Sequence, residues 1–182
     1  MKKIILGITL FLAAFCSKAQ IEENCSEKCN RAFNLPAEAR TSYYQYVSMN
    51  DYDVRSVKLE IAAETGSRSI TGISTTRIRT ISSMDSFVTE FKSTMIVDSL
   101  KINGVSFGYN QAADHIFVPL GANWTPGTEK TIVIYYRGVA SSLGVYAGTL
   151  ASSSLNYVAT LSESYQAREW FPAKQILSDK ID

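Results

Sequence analysis

One histidine, three cysteines and four prolines are spread through 182 residues, and the formal net charge is only +1. A hydrolytic site needs either a nucleophile with a base or a metal with its ligands. His115 alone cannot supply a multi-imidazole metal site. No H-E-x-x-H, EF-hand loop, Gly-rich phosphate loop or G-x-S-x-G elbow occurs anywhere. The balanced charge leaves no basic excess to track phosphates, so nucleic acid is not an expected partner. Beyond the N-terminus there is no long apolar run, and nothing there is expected to span a membrane.

What is present begins with a short apolar stretch, Ile4 to Phe15, behind Lys2 and Lys3 and ahead of Ser17-Lys18-Ala19. That is the pattern of a secretory signal peptide, residues 1–19, with cleavage expected after Ala19 and a secreted or periplasmic product. Phe15 before Cys16 does not suit a lipid-anchor site. The roughly 160 residues that remain can bury one sizeable core. Cys25 and Cys29 stand four apart, so a local disulfide or two unlinked thiols are both open, while two thiols without further ligands make a poor zinc site.

Residues 20–50 read as a polar N-terminal extension, partly helical, with Pro36 at a helix start. From Tyr52 the period changes to two. In "VKLEIA", Val57, Leu59 and Ile61 point one way and Lys58 and Glu60 the other, as in a half-buried strand. Ile78 faces away from its neighbours Arg77 and Arg79, and "SFVTEF", "DHIFVPL", "KTIVIYYRG" and "LNYVATL" are further strands. Asn103-Gly104 between two β-type runs predicts a type I′ hairpin. "GANWTPGTE", which holds the formal sequon Asn123-Trp124-Thr125, reads as a turn, and Gly138 to Ser154 as a surface loop. Many strands and no long helical period predict an all-β, antiparallel sandwich over 51–182.

The densest mixture of charge and large aromatics is "TLSESYQAREWFPAKQ", Thr160 to Gln175. By itself it reads as a sandwich edge with solvated Glu163, Arg168 and Glu169. His115, after Asp114 at a strand entrance, reads as a surface polar group.

Four stretches, in order, nevertheless resemble the N-terminal domain of the aminopeptidase N family of zinc metallopeptidases, in its bacterial secreted form. They are "YDVRSVKLEI", "VDSLKINGVSF", "TIVIYYRGVAS" and "TLSESYQAREWFPAKQILSDKID". The last is the most specific, with Glu163, Ala167-Arg168, Trp170-Phe171-Pro172 and Lys180 at the family's positions. The chain departs from the pattern where Ala173 replaces a common cysteine and Gln175-Ile176-Leu177 replaces a D-x-P. The resemblance implies that Glu163 holds the free α-amino group of a peptide substrate, which sets exopeptidase register. It also implies that zinc, H-E-x-x-H and G-x-M-E-N belong to a catalytic domain of the same polypeptide, expected after Asp182 and absent from this chain. The chain itself then binds no cofactor or metal and is inactive alone. A second reading is a free-standing secreted sandwich that grips glycan or protein through Trp124, Tyr135 or Tyr146.

Overall fold

The computed structural model describes residues 46–162 and 165–176. The chain divides between Gln45 and Tyr46 into two units, and the second holds all of these residues. The signal segment, Pro36, Cys25, Cys29, Glu163 and Lys180 lie outside them.

A single 3-10 turn, Val47–Asp51, leads into β1 at Tyr52, where the period-two pattern starts. Ten strands follow: β1 (Tyr52–Ala63), β2 (Ser69–Thr80), β3 (Met84–Glu90), β4 (Ile96–Ile102), β5 (Val105–Ser106), β6 (Asn110–Ala112), β7 (His115–Trp124), β8 (Glu129–Val139), β9 (Val145–Thr149) and β10 (Asn156–Thr160). Five form a sheet in the order β1-β2-β8-β4-β5, three form β3-β7-β6, and β9 and β10 make a ribbon. All pairings between named strands are antiparallel.

The two larger sheets share one core. Ile78, Ile132 and Tyr136 from the first and Phe87, Ile116 and Val118 from the second are essentially buried within it. Arg77 and Arg79 stay exposed on either side of Ile78, as their alternation requires. In β1 the register slips between Val54 and Ser56, leaving Arg55 as the extra residue of a β-bulge. The bulge explains the spacing Tyr52, Val54, Val57, Leu59. One inserted residue returns the apolar side chains to the same face after the kink.

Asn103 and Gly104 have φ of 49° and 83°, the doubly left-handed geometry of the expected I′ turn. Asn103 also exchanges bonds with Thr131 on β8: its N–H donates to the Thr131 carbonyl, and its Oδ1 accepts from the Thr131 N–H.

Two loop readings are corrected. The stretch Gly138 to Ser154 contains β9, which pairs along its whole length with β10. "GANW" is the end of β7, with Trp124 opposite Met84, and the turn comes only afterwards. Pro119 is tolerated inside β7 because β6 pairs only as far as Phe117, so on that side no ladder bond is lost. No helix among the described residues is long and apolar enough to cross a membrane.

Candidate functional site

The aromatic and charged segment before the C-terminus folds back onto the sandwich. Glu90 at the end of β3 and Ala173 form an antiparallel bridge, and the Lys92 N–H donates to the Arg168 carbonyl at 3.0 Å. Between these anchors Ala167–Glu169 make one 3-10 turn, closed by the Trp170 and Phe171 N–H groups on the Ala167 carbonyl. Trp170 and Phe171 meet edge to face at 4.6 Å, and the Trp170 indole N–H donates to Ser162 Oγ at 3.1 Å.

Gly144, at the start of the β9–β10 ribbon, ties this segment from the other side. Its carbonyl accepts the Leu161 N–H at 3.0 Å. A Cβ built on it would stand 2.8 Å from Glu169 Cβ, 2.9 Å from Trp170 Cδ1 and 3.2 Å from the Gln166 carbonyl. Leu161 and Gln166 therefore both lie against this one glycine. Within it Tyr165 has φ of 71°, a left-handed conformation that bulky residues rarely adopt.

Five charged groups converge beneath the turn. Glu90 is fully buried, and its Oε2 accepts from the Gln175 backbone N–H and Nε2, both at 3.2 Å. Its Oε1 lies 4.0 Å from an Arg168 guanidinium nitrogen. Glu169 is 4% exposed, with Oε1 3.6 Å from Arg168 Nε and 3.8 Å from Lys92 Nζ. Lys92 bonds Asp114 at 2.9 Å, and the Ser93 N–H donates to the same carboxylate at 2.8 Å. Burial pushes the Asp114 carboxyl up, but Lys92 and the Ser93 N–H and hydroxyl outweigh it and hold it below its ordinary value.

Arg168 and Glu169 are thus not the solvated charges their sequence context suggests. The Arg168 guanidinium instead stands beside the Glu90 and Glu169 carboxylates, at charge-pair distances longer than hydrogen bonds. His115 is also corrected: it is 4% exposed, with Nδ1 2.6 Å from the Ala113 carbonyl and its ring against Tyr46 at 4.7 Å. Its Nε2 has no hydrogen-bond partner among the described residues, so no Ser-His pair forms there.

Sequence reasoning missed Glu90, Lys92 and Asp114. A signal existed for the first, because Glu90 is the one charge inside the apolar run Phe87 to Phe91. Trp124, Tyr135 and Tyr146 do not share a sheet. They belong to β7, β8 and β9, with the Lys130 ammonium 5.0 Å above Trp124 and Lys101 5.6 Å from Tyr135. Tyr146 alone of the three is exposed.

A cleft of about 300 Å³ opens between β1 and the terminal segment, walled by Val57, Leu59, Ile134, Phe171 and Pro172. Lys174 lies at its wall, its ammonium donating to the Tyr52 carbonyl and 4.7 Å from the Tyr52 ring.

This arrangement of sheets recurs in solved structures. The chain shares its fold with M1 zinc metallopeptidases. A mutant enzyme from Deinococcus radiodurans bound to a Tyr-Ser-Ala substrate matches at TM-score 0.59 and 20% identity, over 71% of this chain and 30% of that one. The unmutated enzyme from the same organism matches at 0.59 and 19%, with the same coverage of 71% and 30%. A two-domain M1 mutant bound to L-arginine matches at 0.59 and 20%, again over 71% and 30%. The chain thus spans under a third of the length of these M1 structures. No family model matches it, and no curated protein does.

The M1 neighbours are zinc enzymes, but the residues described in this chain do not fit zinc. Among them no three His, Cys, Asp or Glu side chains are grouped as a metal would require. Glu90, Glu169 and Asp114 are instead engaged with Arg168, Lys92 and Gln175. No step of metal chemistry is assigned to them.

Proposed function

We propose that the chain is the N-terminal scaffold and substrate-anchoring domain of an exported zinc aminopeptidase, which removes residues from peptide N-termini. The observation that carries this reading is the fold shared with M1 zinc metallopeptidases. The four stretches that resemble the aminopeptidase N family, in order along the chain, support it.

In this reading the sandwich is scaffold, and the terminal segment is the part that reaches the substrate. Glu163 supplies an anion for the peptide's α-ammonium. A cation in a partly desolvated cleft needs such an acceptor, and holding it fixes how far the scissile bond lies from the chain end. The partners are then the peptide N-terminus and a catalytic domain of the same polypeptide, which holds the zinc. The bound tripeptide and amino acid in the M1 neighbours support the substrate class. The apolar run behind Lys2 and Lys3 supports export.

The test is an assay of the full-length gene product on an aminoacyl-p-nitroanilide, with its zinc content measured. Hydrolysis that depends on zinc and fails on N-acetylated substrate is expected, while residues 20–182 alone are expected to be inactive. A zinc-replete product without activity, or a reading frame with no H-E-x-x-H after Asp182, would overturn the proposal.

A further inference from the structure

The outer edge of β1 carries a self-complementary pattern. β1 pairs with β2 along its length and has no strand on its other side among the described residues. From Val57 to Ala63, where no strand of the described residues lies on that side, such an edge is a template for a further strand. The side chains on this edge say which strand fits.

After the bulge at Arg55, Lys58 and Glu60 share one face and lie 3.2 Å apart, both well exposed. Val57, Leu59 and Ile61 share the other face. Val57 and Leu59 line the open apolar cleft, and Ile61 is 38% exposed. An antiparallel second copy centred on Leu59 sets Lys58 opposite Glu60 of the partner subunit, and Glu60 opposite Lys58 of the partner subunit. On the other face, Leu59 meets Leu59 of the partner subunit, and Val57 meets Ile61 of the partner subunit.

The neighbouring registers fail. Centring the pair on Lys58 sets two ammonium groups face to face, and centring it on Glu60 sets two carboxylates face to face. Like charges directly opposite destabilise a strand pair, whereas opposite charges and apolar pairs stabilise it. A register offset that breaks parity places Lys58 against an apolar side chain. Of the registers centred on Lys58, Leu59 and Glu60, the one on Leu59 alone satisfies both faces. Ala62 falls opposite Ser56 of the partner subunit, a small side chain against a small one.

We propose that β1 pairs edge to edge with β1 of a second copy, with Leu59 on the two-fold axis, joining the two five-stranded sheets into one.

Sedimentation of the full chain over a concentration series tests this. A monomer–dimer equilibrium is expected. Lys58→Glu and Glu60→Lys should each weaken it about tenfold, because each replaces two attractive pairs with two repulsive ones. The double variant K58E/E60K should restore it, since the swap rebuilds both pairs. Both side chains are exposed, so circular dichroism should show unchanged folding in every variant. A chain that stays monomeric at every concentration overturns the proposal. So does a dimer indifferent to the single changes, which would lie on another face, or a double variant as weak as the singles.

Discussion

Glu90 and Ala173 exchange both of their backbone hydrogen bonds, at 3.1 and 3.0 Å, across most of the chain's folded length. The same Glu90 uses its side chain to hold Gln175, so one residue fixes the terminal segment twice. Removing that carboxylate takes one acceptor from the Gln175 N–H and Nε2 and one charge from beside Arg168. Glu90→Ala is expected to destabilise the fold by about 3 kcal/mol, in the range for breaking one partner out of a buried charged pair. Glu90→Gln should cost less, because its amide oxygen still accepts. Urea midpoints for the two variants check the order.

Gly144 and Gly104 are both glycines for different reasons, and alanine separates them. At Gly104, φ is 83° and nothing stands near the missing Cβ, so Gly104→Ala meets only backbone strain of about 1 kcal/mol. At Gly144 the methyl would collide with Glu169 and Trp170, and overpacking of this kind costs about 1–3 kcal/mol. Trp170 fluorescence should shift in Gly144→Ala and stay unchanged in Gly104→Ala.

Asp114 gives the fold an acid-sensitive element. Its folded pKa lies below the ordinary 3.8 because Lys92 and Ser93 stabilise the carboxylate. A depressed folded pKa contributes stability that is fully present above the unfolded value and is lost as pH falls through the folded one. Asp114→Asn should therefore lower stability at neutral pH and flatten the part of the acid loss that begins near 3.8. Urea midpoints measured from neutral to acidic pH should show the two curves converging at the acid end. Parallel curves would mean that Asp114 contributes no pH dependence.

The strands were largely legible because burial on one face writes a period of two into the sequence. Val57, Leu59 and Ile78 with its flanking arginines are examples. β9 was not legible: Val145 to Thr149 is flanked by Ser, Gly and Ala, and its pairing with β10 supplies what its composition does not announce. The charge cluster was hidden for another reason. Glu169 looks like an exposed acid until Lys92, far away in sequence, is brought under it by β3. His115 was misread in the same way, since Tyr46 covers it from before β1. Local pattern shows which face a side chain takes, and only the tertiary fold shows what it meets.

The burial of Glu169 also changes how Glu163 must be tested in the proposed aminopeptidase. If the Glu163 carboxylate grips the substrate's α-ammonium, Glu163→Ala removes one charge-assisted hydrogen bond, worth roughly 1.5–3 kcal/mol. Hydrolysis of free N-terminal substrates should then fall by about one to two orders of magnitude in kcat/KM, with zinc content unchanged. Glu163→Gln should fall less, because an amide oxygen keeps one acceptor and loses only the charge. Glu169 cannot serve as the inert acidic control, because its alanine variant removes a buried carboxylate from between the Lys92 and Arg168 cations. Glu129 can, since it is exposed and pairs with Arg77 only at the surface, where such a pair contributes little. Glu129→Ala should match the parent protein in both stability and kinetics. Glu169→Ala should lose stability first, and its kcat/KM per folded molecule should fall less than that of Glu163→Ala. If Glu163→Ala behaved like Glu129→Ala, the α-ammonium would have to be held by another residue.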